Sequence, residues 1–344
     1  MDDTQLFPLE RLLKEAAQAS PNNFPTPQAD YFARYRSVKQ WLINNVYKHI
    51  GAALSTDGGI YTDHGADHFD EVIRYAGLMV GAEEPKCIPD QLTPHEAYVL
   101  LMAILLHDAG NVYGRMGHEK KAYELLTQMG ELSGSDNVEK KEIADVAQAH
   151  GGKTSTGDKD TIGILNERHR HNSASFRARV IAGVVRFADE VCEHRGRGAR
   201  VLMERGKLSK KSEIYHVYAE SITSAWPDRQ GKTIDIMYDI PIKDATRLWG
   251  KDSGETYLTD EILLRLEKMD LERKYCTRFM YPVFVADRIN ATVTIRGDEM
   301  EPLAEYPIRL EESGYPSSRE RLADRYPELR GQSVYQRFAP KSDE

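Results

Sequence analysis

The chain has 344 residues, 40% hydrophobic and 29% charged, and 46 Lys plus Arg against 54 Asp plus Glu give a formal net charge of −8. That length exceeds one average domain and affords a substantial core, while the acidic balance disfavours capture of a long nucleic acid. No stretch approaches the roughly 18 apolar residues that cross a membrane, MDDTQLFPLE has no leader-like features, and Cys87, Cys192 and Cys276 lack metal or redox spacing, so a cytoplasmic location with reduced core thiols is expected.

Leu6, Leu9, Leu12 and Leu13 recur at helical spacing before the proline-broken PNNFPTP (21–27), which predicts an N-terminal arm over 1–28. From Tyr31 to about Leu54, Phe32, Tyr35, Val38, Trp41, Leu42 and Val46 form the stripe of an amphipathic helix. After the turn STDGG, the segment YTDHGADHFDEVIRYAGLM sets His68, Val72, Ile73, Ala76 and Met79 on one helical face, so His68 points with the core. Thr93, Pro94 and Glu96 supply N-cap, first-position proline and capping box for AYVLLMAILL. That run is apolar all round, which predicts a central buried helix delivering His107-Asp108 at its glycine-marked end.

Two more helices are expected at about 118–129 and 137–150, the first opened by His118 and the second closed by His150. GKTSTGDKD reads as a polar loop, and His169 and His171 as surface residues before a helix cap at Asn172. The next helix, 173–194, carries Phe176, Val180, Ile181, Val184, Val185 and Ala188 on its apolar face, with Asp189 on or beside it. Beyond Gly196 the character changes. SEIYHVYAESITSAW predicts a helix, KTIDIMYDIPI a strand, LTDEILLRLEKMDLERKYCTRF a helix with a cap-like Thr259, and ADRINATVTIRG a second strand. The last 45 or so residues are polar and proline-broken, and are expected to drape over the surface or bridge to a partner subunit. The predicted fold is therefore mainly α, with a helical bundle over 29–205 and an α+β appendage with a polar tail over 206–344.

Imidazole and carboxylate together suit Mn, Fe, Co, Ni or Zn, whereas an all-oxygen site suits Mg or Ca. An adjacent His-Asp pair chelates one ion only where the last turn of its helix sends both side chains one way. His68 on an earlier helix and Asp189 on a later one supply the remaining corners of a site built in a bundle core.

In that order, His68, His107-Asp108 and Asp189, the chain resembles the HD superfamily of metal-dependent phosphohydrolases, with the pattern H…HD…D on a helical bundle. The resemblance covers roughly residues 60–195, and the segments HFDEV, AILLHDAG and VVRFADEV look like the family's framing helices. It implies that these four residues bind metal, and that His118 and His150 stand where binuclear members carry extra histidines. A second ion bridged through Asp108 follows, both ions being transition metals (Mn, Fe, Ni, Co or Zn), with Mg left open. Gly151 and Asn111 depart from the cyclic-dinucleotide-cleaving HD-GYP subgroup, and HDAGNVYGRMGH lacks the histidines that deoxynucleoside triphosphate triphosphohydrolases carry directly after HD. TDHGADH, HDAGN and GHE together look like a less characterised bacterial HD subgroup.

The implied chemistry is hydrolysis of a phosphate ester or anhydride of a nucleotide or small phosphodiester by a metal-activated hydroxide, with Asp108 at its centre. His64, four residues before His68, stands open between a turn residue and a general acid or substrate ligand. Arg115 and Lys153, on the loops beside His118 and His150, stand open between solvated residues and phosphate contacts, and Arg195 and Arg197, on the glycine-loosened RGRGAR, between phosphate contacts and partners of the acidic surface. GGKT at 151–154 is no P-loop, because the earlier glycine of that motif falls at Ala147 within a predicted helix. Two alternatives stand beside this reading. A single-strand nuclease is disfavoured by net acidity and the lack of a basic stripe with interleaved aromatics; a non-catalytic metal- or nucleotide-binding sensor would signal through the appendage. The appendage is expected either to shape the pocket or to mediate homo-oligomerisation.

Overall fold

A computed structural model describes residues 6–51, 66–83, 92–172, 174–198, 203, 205, 209–252, 254–311 and 321–339. The chain is mainly α with a smaller β region toward its C-terminal end, and it divides into two compact units. The first takes in the described residues of 6–51 and 66–192 together with 275–285; the second takes in those of 193–274 and from 286 onward. No single helix of the described residues is long and apolar enough to cross a membrane.

In the first unit the helices are α1 (Pro8–Ala19), α2 (Tyr31–Leu42), α3 (Ala66–Met79), α4 (Pro94–Leu106), α5 (Ala122–Gln128), α6 (Asn137–Gln148) and α7 (Ala178–Val191). Because α4 has no polar face it can only be central, and every residue from His95 to Leu106 is buried. Its start is capped as the sequence predicts. Thr93 Oγ1 accepts from the Glu96 amide, and the Thr93 amide donates to Glu96 Oε2. The same carboxylate accepts from the backbone amide, Nε and Nη2 of Arg177 at 2.8–2.9 Å, which balances its buried charge and ties the start of α7 to that of α4. On α1, Glu10 accepts from Tyr35 Oη and Lys39 Nζ of α2, and Lys39 pairs in turn with Asp70 of α3.

Local departures from the sequence reading have identifiable causes. The expected long helix from Tyr31 passes at Ile43–Tyr47 into a π-helical turn that buries both Val46 and Tyr47; beyond 51 the expectation lies outside the described residues. The helix expected from 118 opens as a tight 3-10 turn, His118–Lys121. The helix expected from 173 begins only at Ala178. Before it, β1 (His169–His171) and β2 (Ala174–Phe176) form a small antiparallel hairpin turned by Asn172 at φ 52°, so Asn172 is no helix cap. His169 and His171 are accordingly not surface residues: His171 is buried against Asp136 and Glu142, and the ring of His169 stacks on Phe176.

The second unit holds α8 (Glu213–Ser221), β3 (Ile222–Asp228), β4 (Thr233–Pro241), the short α9 (Ile242–Ala245), the hairpin β5 (Leu248–Lys251) and β6 (Gly254–Tyr257), β7 (Arg288–Arg296) and β8 (Pro302–Glu311). Its sheet has the order β3-β4-β7-β8, with β4 and β7 parallel and the outer pairs antiparallel. Helix α10 (Leu258–Met280) belongs to this unit as far as Lys274 and to the first unit from Tyr275. Three expectations are corrected here. The helix read through SEIYHVYAESITSAW stops at Ser221 and continues as β3; the stretch from Pro302 to Glu311 is an edge strand rather than surface drape; and Thr259 lies buried inside the first turn of α10 rather than capping it. The described part of the remaining tail carries α11 (Leu322–Arg325) and α12 (Gly331–Phe338).

His95 gives the first unit a measurable pH signature. Burial, reinforced by the neighbouring His171, holds its imidazole down at about 4. The folded protein keeps it neutral while an unfolded chain protonates it near ~6.5, so its effect is absent above ~6.5 and destabilises the fold increasingly as pH falls toward 4. The stability difference between wild type and His95→Phe, from urea denaturation, is expected to shift by about 3 kcal/mol between pH 7 and pH 4; a pH-independent difference would contradict a neutral buried His95.

Candidate metal centre

Helix and turn ends deliver four of the six donor side chains. His107 is the C-cap of α4, Asp108 follows it, His150 lies just beyond α6, and His118 opens the 3-10 turn after Gly117. His68 and Asp189 come from the bodies of α3 and α7. Two donor groups result, His68 with His107 and Asp189, and Asp108 with His118 and His150, the ligand atoms within each lying no more than 4.8 Å apart.

The link between them is Asp108. Its Oδ1 lies 2.9 Å from His118 Nε2 and 3.5 Å from His150 Nε2. Its Oδ2 lies 4.0 Å from His68 Nε2 and 3.9 Å from His107 Nε2, and those two nitrogens are 3.3 and 3.5 Å from Asp189 Oδ1. One carboxylate thus turns an oxygen toward each group.

The histidines are held in matching ways. Nδ1 of His107, His118 and His150 donates at 2.7 Å to the carbonyl three residues earlier, of Ile104, Arg115 and Ala147 respectively. A carbonyl can only accept, so Nδ1 carries the proton and Nε2 is left as the coordinating nitrogen. His107 Nε2 is buried and has no hydrogen-bond partner among the described residues. Separations of 3.3–4.0 Å from the Nε2 atoms of His68 and His107 to Asp189 Oδ1 and Asp108 Oδ2 are those of ligands sharing one ion at about 2.1 Å. The residues therefore fit a divalent metal.

Charge argues the same way. Burial pulls the His107 imidazolium down, but Asp108 and Asp189 outweigh it and push it up to about 9. Burial likewise opposes His118, which Asp108 nonetheless raises, while His107 and His68 hold Asp189 well below the usual carboxylate range against its own burial. A pocket that holds protons this firmly seeks positive charge, and a metal taking Nε2 must displace them, so metal affinity rises with pH.

Of the other sequence candidates, Arg115 and Lys153 are exposed on the loops beside His118 and His150, the Arg115 carbonyl being the acceptor for His118. Arg195 and Arg197 belong to the second unit, where Arg195 donates through Nε to the Glu220 carbonyl; the side chain of Arg197, like the whole of His64, lies outside the described residues. The sequence marks Gly110 and Gly152 as helix stops but does not show how closely they approach the site. A Cβ on Gly110 would lie 2.1 Å from the His118 carbonyl oxygen, and one on Gly152, at φ 72°, 2.8 Å from Glu119 Oε1. Sequence reasoning also missed the three carbonyl acceptors, although for His107 and His150 a histidine just past a helix is a readable signal, since the last carbonyls of a helix lack partners.

A family model described as HD-CE matches residues 59–268, about three fifths of the chain. The matched segment contains all six donors and runs on through β3, β4 and the first half of α10. No curated protein and no solved structure matches the chain.

Gly110→Ala is expected to push the His118 segment away from Asp108 and weaken metal binding about 10- to 100-fold, as loss of supporting contacts does, measured by competition with a chromogenic chelator. Gly51→Ala, where a Cβ meets open space, serves as the unaffected control.

Proposed function

Because the chain belongs to the HD-CE family, we propose that it is a metal-dependent phosphohydrolase acting on a phosphate ester or anhydride of a nucleotide or small phosphodiester. The observation that carries this reading is Asp108, one carboxylate shared between two histidine-containing donor groups. We assign His68, His107 and Asp189 to one ion and His118 and His150 to a second, with Asp108 bridging.

Divalent ions bound there supply a water of lowered pKa and positive charge toward a phosphoryl group. The chain's own groups do the rest. The carbonyls of Ile104, Arg115 and Ala147 fix the imidazole rings so that the donors need no reorganisation. The apolar wall beneath His68 and His107, made by Phe69 with Tyr47 stacked on it at 4.0 Å, excludes water from that side. Arg115 and Lys153, exposed beside the second group, are suited to meet the non-reacting phosphoryl oxygens.

Elemental analysis of protein purified without added ions is expected to give about two transition ions per chain, falling to about one in a His118→Ala/His150→Ala double variant. A panel of nucleotides, cyclic nucleotides and an aryl phosphodiester should reveal turnover that Asp108→Ala lowers by about 1000-fold or more. Unchanged turnover in Asp108→Ala with metal still bound would overturn the mechanism, and two ions without turnover would favour the sensor reading.

A further inference from the structure

The second unit carries a cavity of about 540 Å³ whose lining residues all belong to that unit. We propose that this cavity binds a nucleoside monophosphate, at a site built from residues other than those of the metal centre.

Three observations converge on it. First comes its place in the sheet. Strands β4 and β7 are parallel neighbours, their last residues Pro241 and Arg296 are register partners, and both line the cavity. In open α/β sheets ligands lie outside the carboxyl ends of parallel strands where their connections part, and here β4 leaves into α9 while β7 leaves into the turn to β8.

Second is its charge. Arg195, Lys243 and Arg296 all line the cavity. Arg296 is oriented by Asp239 Oδ1 at 3.0 Å and by the Met300 carbonyl, and Arg195 through Nε by the Glu220 carbonyl at 3.0 Å. Lys243 forms no ion pair among the described residues. Beside the lining acids Glu220, Asp239 and Asp244, these three cationic side chains offer donors for the oxygens of a phosphate.

Third, the lining is too large and too varied for phosphate alone. Asp239 and Glu220 can accept from ribose hydroxyls or a base amino group, and the exposed Met300, with the buried Val217 and Leu258 behind the lining, offers an apolar surface to a base. A volume of this order is that of a site for a small organic ligand. Arg195, which the sequence offered as a substrate contact, thereby acquires a second assignment that does not depend on what the metal centre hydrolyses.

The test is calorimetric titration of AMP and GMP into the full chain stripped of metal with EDTA, in wild type, Asp108→Ala, Lys243→Glu and Arg195→Ala. The two cavity substitutions fall at exposed residues, and matching melting curves confirm their folding. The expected result is saturable binding, unchanged in Asp108→Ala, weakened about tenfold or more in both cavity variants, and tighter than inorganic phosphate. Protection of the amides of α9 and of residues 297–301 from hydrogen exchange by AMP should accompany it. No binding at millimolar nucleotide, binding lost in Asp108→Ala but intact in Lys243→Glu, or phosphate binding as tightly as either nucleotide would each overturn the proposal. Failure of the hydrolase reading, by contrast, would leave this binding untouched.

Discussion

Asp108 is a carboxylate buried at the end of a helix that has no polar face, and a buried charge must be met by opposite charge or by several hydrogen bonds. The position worsens the demand, since the C-terminal end of a helix carries partial negative charge of its own. Much of the first unit answers it. Four imidazoles from α3, the end of α4, the 3-10 turn and the end of α6 surround the two oxygens, and α7 adds Asp189, which extends the negative region rather than closing it. A cluster with two carboxylates and ring nitrogens prepared as lone-pair donors is balanced by cations, whether protons or metal.

The end of α4 also shows how a helix terminus becomes a platform. Its late carbonyls are met one after another: Ala103 by the His107 amide, Ile104 by His107 Nδ1, and Leu105 by Tyr47 Oη at 2.8 Å. Tyr47 can reach because the π-helical turn at Ile43–Tyr47 buries it together with Val46, a local widening of the kind often found near functional sites. What satisfies the backbone thus also fixes the ligand.

Much of this was legible in the sequence. The apolar periodicity of α3 and α7, the capping box of Thr93 and Glu96, and the all-round apolar run of α4 are local signals, and they place His68, Asp189 and His107-Asp108 without knowledge of the fold. The missed parts depend on partners far along the chain. Strand β8 reads as polar because only one of its faces is buried, and its register with β7 supplies what its composition lacks. Strand β3 follows α8 without a break, and the β1–β2 hairpin rests on three-residue strands too short to show a period. Similarly, nothing in the sequence sets Arg195 beside Arg296, since β7 lies on the far side of a long crossover. The glycine at 110 was legible as a helix stop, but its close approach to His118 was not.

The discontinuity of the first unit sets the order in which the protein can be completed during synthesis. Tyr275 accepts from the Ile162 amide, donates to Asp160, and lies under the Arg186 guanidinium at 4.6 Å, while Gly183 of α7 leaves room for Met280. All of these earlier residues wait for a strand of chain that emerges roughly 80 residues after Cys192. At ribosomal rates of ~5–20 residues per second the delay is on the order of 4–16 s. For that interval the helix carrying Asp189 lacks part of its packing, so the ligand set is finished only after most of the sheet-bearing unit has left the ribosome. A gene cut after the seventh helix would therefore encode every candidate donor and still omit the segment that completes their scaffold.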